Sequence, residues 1–276
     1  MNWTEIRTKA LAIAEDKGHE YNDPNLPRTQ LRSLASELGV DRLELREMDG
    51  DALVVERQSG HFTMFLNSGQ AQSRHRFSTA HEVSHLLLAP LVAHGAVHRR
   101  RFSTQDDEGR RIEFLCNDMA SAILMPRGRV LAVLAQTGPT ARSVPRIVEG
   151  FGVSFEAAAR RYVDVSSLPC VLVKWIFQAG ARKEERPVSN FWLGGAWLKF
   201  TRPTSPSPNN VTVSKENLVI YPGRRSRSAP VYVEEATTET LRHGHGRYQR
   251  MFSFVYVPNR VVKELQGSSV NYTKRC

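Results

Sequence analysis

The residues of this 276-residue chain best suited to chemistry are two histidines four positions apart, His81 and His85. On an α-helix this spacing puts both imidazoles on one face, where they can bind a divalent cation at about 2 Å from each nitrogen. Glu82 is rotated by about 100° from His81 around the helix axis, so it lies near the metal without being a ligand. Because a carboxylate there can accept a proton from metal-bound water, the pattern predicts a hydrolytic metal site with Glu82 as general base.

A catalytic zinc site normally takes a third ligand from the protein and leaves the fourth position to water. The candidates are the histidines and carboxylates that follow in the chain, namely His94, His98, Asp106, Asp107, Glu108 and Glu113. We select Glu113 because it begins the next helical pattern, and a rigid helix holds a ligand more firmly than a loop does. The alternative is a glutamate that only stabilises a helix N-terminus.

Two residues can share the helix face of Glu113, since Cys116 follows it by three positions and Asn117 by four. We predict that Asn117 contacts a metal ligand rather than the metal, and that Cys116 belongs to the core packing.

A structural interpretation of the histidine motif is also open. Thr79 and Glu82 fit a capping box, which would make Glu82 a helix-start residue without a catalytic role. The apolar residues at 86–88 would bury this helix, however, and two buried histidines on one face require polar partners. The metal site therefore remains the favoured interpretation.

Hydrophobic spacing predicts the elements that must position these residues. Helices are predicted at 2–17, 31–38, 77–88 and 112–124, and a β-hairpin or meander at 53–57 and 62–66. The polar segment 90–110 is long for a connection, which suggests a functional or mobile loop.

A helix-turn-helix pattern follows, with helices predicted at 143–151 and 155–163 around a turn at Gly152. In one interpretation Arg160 and Arg161 contact DNA. We favour a helical hairpin packed on the first domain, because Glu156 is poorly suited to a DNA groove.

The last third of the chain differs in composition and in charge. Residues 1–169 contain 21 Lys and Arg against 21 Asp and Glu, whereas residues 170–276 contain 17 against 7, so the whole formal charge of +10 lies there. Short β-rich runs separated by Gly, Pro, Ser and Asn predict a mostly β domain. Its charge predicts a partner such as DNA or an acidic protein surface, and the alternative is a basic surface that only aids solubility.

Composition restricts the location of the protein. The longest apolar run has eight residues and contains Pro90, whereas a membrane helix needs about 20, so no membrane partner is expected. The three cysteines are widely spaced and the N-terminus shows no export signal, which predicts a cytoplasmic protein.

The sequences of two segments, 76–85 and 113–126, closely resemble the paired signature of the ImmA/IrrE metallopeptidases. The strand end at 65–67 also fits this family, and segments 138–142 and 152–154 are similar to the helix-turn-helix-like segment of its IrrE branch. Two positions depart from the usual pattern, since Ser84 replaces Gly and Met119 stands where Phe is commoner. Neither departure removes a candidate ligand.

The resemblance implies an α+β fold in three parts. These are a zincin-like metallopeptidase domain at 1–129, a helix-turn-helix-like helical segment at 130–168, and a mostly β, basic and GAF-like regulatory domain at 170–276. It further implies that His81, His85 and Glu113 bind Zn²⁺, with Mn²⁺ as a second possibility, and that Glu82 is the general base.

The implied function is a zinc-dependent, site-specific endopeptidase that cleaves a helix-turn-helix transcriptional repressor during a stress or phage-immunity response. An extended substrate is expected to pair with the strand that ends near Asn67. Two alternatives remain: a non-catalytic DNA-binding regulator with a structural metal site, and a toxin-like metallohydrolase of a toxin–antitoxin pair.

Overall fold

The computed structural model describes residues 2–21, 30–92, 107–168, 170–176, 186–188, 197–200, 218–221, 231–232, 237–243 and 250–256. The chain forms two compact units, the first within residues 1–133 and 145–158 and the second within 134–144 and 159–275. The three domains expected at 1–129, 130–168 and 170–276 stay a prediction. None of the described helices is long and apolar enough to cross a membrane.

The fold is mixed α+β, as predicted. Seven helices are described: α1 (Trp3–Glu20), α2 (Leu31–Glu37), α3 (Gln72–Leu88), α4 (Asp107–Leu124), α5 (Arg127–Thr137), α6 (Val144–Phe151) and α7 (Phe155–Val165). The described strands are β1 (Val40–Arg46), β2 (Ala52–Gln58), β3 (His61–Asn67), β4 (Cys170–Ile176), β5 (Arg186–Val188), β6 (Trp197–Phe200), β7 (Leu218–Tyr221), β8 (Val231–Tyr232), β9 (Thr237–His243) and β10 (Arg250–Tyr256).

The first unit contains a three-stranded sheet in the order β1-β3-β2. The predicted hairpin is present, since β2 and β3 pair antiparallel, and β1 pairs parallel to β3 on its other side. A substrate therefore cannot pair with β3, and the expected pairing beside Asn67 is wrong. Within the described residues, β2 is the edge strand of this sheet on the side opposite to β1.

Helices α1, α3 and α4 pack on one another, and α3 also packs on β2 and β3. Close packing needs small residues: a Cβ added to Gly18 of α1 would lie 2.9 Å from the backbone oxygens of Ala122 and Ile123 in α4. Helix α3 begins at Gln72, five residues before the predicted start, and Thr79 lies inside it with its hydroxyl donating to the carbonyl of His75 at 2.8 Å. The capping-box interpretation of Thr79 and Glu82 is therefore wrong.

Gly39 provides a stability test of the sheet. Its φ is +85°, and a Cβ at this position would collide with the carbonyl oxygen of Gly60. Gly60 has a similar φ of +79°, but a Cβ added there would have no atom within 4 Å. We expect Gly39→Ala to lower the free energy of unfolding by about 2–5 kcal/mol and Gly60→Ala by about 1–2 kcal/mol, because only the first adds a clash to the backbone strain. Equal losses in chemical denaturation would contradict this packing.

The helical segment after α4 follows the predicted pattern. Gly152 has a φ of +61° between α6 and α7, and the Ser154 hydroxyl accepts a hydrogen bond from the backbone N–H of Ala157 at 3.2 Å, as a helix cap does. Arg160 is exposed, whereas Arg161 is buried. Because Arg161 is buried, its side chain is not available to contact DNA.

The second unit contains two antiparallel sheets, in the orders β5-β4-β10-β9 and β6-β7-β8. Hydrogen bonds join its helical part to the first of them: the hydroxyl oxygens of Tyr162 and Tyr256 lie 3.1 Å apart. The backbone N–H of Ala141 also donates to Glu239 at 2.8 Å. The described strands agree with a mostly β region.

Candidate metal centre

The two motif histidines lie on the face of α3 that packs towards α4. Their Nε2 atoms are 3.1 Å apart, and the rings meet edge to face with centroids separated by 4.8 Å. The side chains retain little exposure, 17% for His81 and 10% for His85. The four-residue spacing therefore produces the arrangement that was expected from it.

Helix α4 brings Glu113 to the same point. One carboxylate oxygen lies 3.2 Å from Nε2 of His81, and the other lies 3.6 Å from Nε2 of His85. The three residues offer ligand atoms that all lie within 4.8 Å of one another. Over the described part of the chain, this is the one group of three or more His, Cys, Asp or Glu residues arranged to hold a metal ion.

The donor set fits a metal such as zinc, since two imidazole nitrogens and a carboxylate are common zinc ligands. The hydrogen bond from His81 is the main reason that the pKa of Glu113 is lowered, so this carboxylate is ionised and ready to bind a cation. Of the other candidates for the third ligand, Asp107 and Glu108 lie exposed in the first turn of α4. His94, His98 and Asp106 lie outside the described residues.

The outer nitrogen of each histidine contacts a second residue of α4. Asn117 Oδ1 lies 3.1 Å from Nδ1 of His81, so the structure brings Asn117 into contact with one of the predicted ligands. Cys116 Sγ lies 3.4 Å from Nδ1 of His85, a contact that the core-packing prediction for Cys116 did not include. The sequence feature that could have predicted this contact is the spacing of three residues between Glu113 and Cys116, which puts both on one face of a helix. Burial raises the pKa of the Cys116 thiol, which is therefore neutral.

Glu82 lies beside the cluster and faces the sheet. Its carboxylate accepts a hydrogen bond from the backbone N–H of Val54 in β2, and the side chain is partly buried. Burial is the largest influence on its pKa and raises it, His81 opposes this effect, and the charge of Glu113 adds to it. A carboxylate with a raised pKa is suited to accepting a proton near neutral pH.

A hydrogen-bond network connects α3 to the turn between β1 and β2. The side-chain amide of Asn67 donates to the carbonyl oxygens of Met48 at 2.6 Å and Gly50 at 3.0 Å. The Asn67 carbonyl in turn lies 2.7 Å from Nε2 of His75 in α3. This network connects the turn that precedes β2 to the helix that carries Glu82.

The substitution at Ser84 is accommodated inside α3. Ser84 is fully buried, and its hydroxyl donates to the carbonyl of Ala80 at 2.7 Å. The hydroxyl is therefore satisfied within the helix, and the adjacent His85 keeps its place in the cluster.

Comparison with known proteins places this site in a family. A sequence model of the IrrE N-terminal-like domain, a peptidase domain, matches residues 25–162. The radiation response metalloprotease IrrE of Deinococcus radiodurans is 30% identical over 116 residues, which are 40% of this chain and 34% of that protein. The same-named protein of Deinococcus deserti is 32% identical over 170 residues, 59% of this chain and 58% of that protein. The matched region of this chain thus spans between about a third and about three fifths of the length of these two relatives.

Among solved structures, a Mycobacterium tuberculosis transcriptional regulator aligns with 99% of this chain and 86% of that chain, at a TM-score of 0.47 and 12% identity. This similarity is too low to support a conclusion. The domain match, in contrast, covers half of the chain and includes His81, Glu82, His85 and Glu113. The chain therefore belongs to the metallopeptidase family defined by the IrrE N-terminal-like domain.

Proposed function

We propose that this protein is a zinc-dependent endopeptidase that cleaves one peptide bond of a helix-turn-helix transcriptional repressor. The observation that carries the proposal is the convergence of His81, His85 and Glu113 on one point, with Glu82 beside them and outside the ligand group. This arrangement separates the residues that hold a metal from the residue that moves a proton, and metal-assisted peptide hydrolysis uses both.

In the proposed mechanism, His81, His85 and Glu113 would hold the ion. A zinc ion bound there would polarise the scissile carbonyl and lower the pKa of the attacking water. The Glu82 carboxylate takes a proton from that water while the water oxygen attacks the carbonyl carbon. Glu82 then donates the same proton to the leaving nitrogen when the C–N bond breaks, which restores its charge.

We place the substrate along β2 rather than β3. Within the described residues β2 pairs with β3 on one side, and its Val54 N–H is directed at Glu82. A peptide that pairs with the other side of β2 would therefore pass directly by the general base. The exposed side chains of Leu53 and Val55 add apolar surface to this strand.

Three features support a regulatory substrate. Both relatives are named radiation response metalloproteases, which favours a role in a stress response. The net positive charge of the last third of the chain favours an acidic protein or DNA as a partner. Its position after the peptidase domain and its antiparallel sheets are consistent with a GAF-like regulatory domain that controls cleavage.

The test uses the full chain, loaded with Zn²⁺ or with Mn²⁺, and the helix-turn-helix repressor encoded nearest to its gene. Mass spectrometry of the products should show two repressor fragments from a single cleaved bond. No fragments with either metal, or the same fragments from the Glu82→Gln variant, would contradict the proposal. Salt-dependent DNA binding without cleavage would favour the non-catalytic regulator instead.

A further inference from the structure

One face of α4 supplies three successive contacts to the histidines of α3. Glu113 reaches both Nε2 atoms, Asn117 meets Nδ1 of His81 at 3.1 Å, and Cys116 meets Nδ1 of His85 at 3.4 Å. The positions i, i+3 and i+4 lie on one side of a helix, so all three contacts follow from one packing arrangement. Cys116 and Asn117 thus make equivalent contacts, each with the Nδ1 atom of a different histidine.

We propose that Cys116 is a positioning residue, whose sulfur accepts a hydrogen bond from Nδ1–H of His85 and so directs Nε2 towards the metal. The proposal rests on the function proposed above. A metal-binding imidazole commonly donates its second N–H to an acceptor that fixes both the tautomer and the ring orientation. Asn117 provides an oxygen for this purpose at His81, and Cys116 provides a sulfur at His85.

The geometry argues against Cys116 as a metal ligand. The group of ligand atoms within 4.8 Å of one another comprises His81, His85 and Glu113 and does not include Sγ of Cys116. The sulfur contacts Nδ1, whereas Nε2 of the same ring faces Glu113. A residue that contacts the far side of a ligand acts on the metal through that ligand.

The position of Cys116 is also suited to holding a ring in place. Its side chain is completely buried, and His85 is the more buried of the two histidines. A thiol is a weak acceptor, so the contact orients the ring with a smaller contribution than a carboxylate would make. Cys116 can therefore be tested against one larger and one smaller side chain, neither of which has an acceptor.

The test compares Cys116→Val, which removes the acceptor and adds some side-chain volume, with Cys116→Ser, which keeps an acceptor. Cys116→Ala serves as a second acceptor-free variant if the valine protein does not fold, and Cys170→Ala is the matched control because Cys170 is buried in the second unit. The zinc dissociation constant of each full-length protein is measured by competition with a chromogenic chelator. The Co²⁺ absorption spectrum and the thermal unfolding of the metal-free protein are measured in parallel.

We expect the acceptor-free variants to bind zinc about 10-fold more weakly and to shift the Co²⁺ spectrum, while Cys116→Ser stays within about threefold of the wild type. Cys170→Ala should bind zinc unchanged. Equal zinc affinity of the wild type and the acceptor-free variants would overturn the role of Cys116 and leave the metal site intact. Equal weakening by valine, alanine and serine would also overturn it. A wild-type protein that binds no zinc would overturn the proposed function and this inference together.

Discussion

Glu82→Gln is expected to lower the cleavage rate by about 10²–10⁴-fold or more and to leave the bound metal in place. The amide has the shape of the carboxylate but cannot accept a proton from the attacking water. Metal binding should persist because Glu82 lies outside the group formed by His81, His85 and Glu113 and instead accepts a hydrogen bond from Val54.

The measurement combines the rate of repressor cleavage with the metal content of the same preparation. Glu44→Gln is the matched control, because Glu44 is an exposed glutamate of β1 in the same unit. It should cleave at the wild-type rate. A Glu82→Gln protein that retains full activity would exclude Glu82 as the base, and one that loses its metal would mean that Glu82 is a ligand.

Glu113→Ala is expected to weaken metal binding by at least about 100-fold and to abolish cleavage. The substitution removes one of three ligands and leaves two imidazoles, which hold a divalent ion much less tightly than a complete site does. Glu113 is the only contribution of α4 to the ligand group. The effect should therefore appear in binding itself and not in the cleavage rate alone.

Competition with a chelator measures this loss, and Glu108→Ala is its control. Glu108 lies five residues earlier on α4 and is exposed, so its removal changes the charge of the helix by the same amount without touching the cluster. If both variants lost affinity equally, the effect would arise from the electrostatics of the helix N-terminus. The assignment of Glu113 as a ligand would then be wrong.

The central part of the site was predictable because it depends on helical periodicity. His81 and His85 are related by one turn of a single helix, and Glu113 and Asn117 are related in the same way on the next. Spacing within one helix fixes which residues share a face, before any tertiary contact is considered. Spacing did not fix the pairing of the two helices. Glu113 was selected because it begins the next helical pattern, and the family resemblance implied the same ligand.

The features that were missed depend on contacts between distant segments. Strand β1 has the sequence Val-Asp-Arg-Leu-Glu-Leu-Arg, and its charged residues give it a low β-propensity, so no strand was predicted there. Parallel pairing with β3 stabilises it. If β1 is left out, β3 is an edge strand of the hairpin, and this is why the substrate was assigned to the wrong strand. Strand β9 is similarly polar and pairs through its backbone with β10. The contact between Cys116 and His85 depends on the packing of α3 against α4.

X-ray absorption spectroscopy of the zinc-loaded full chain shows whether His81, His85 and Glu113 bind one metal ion. We expect one zinc per chain, with two imidazole nitrogens at about 2.0–2.1 Å, oxygen ligands at about 2.0–2.2 Å and no sulfur at about 2.3 Å. A sulfur ligand, a single imidazole, or an unchanged spectrum in Glu113→Ala would mean that these three residues do not form the metal site.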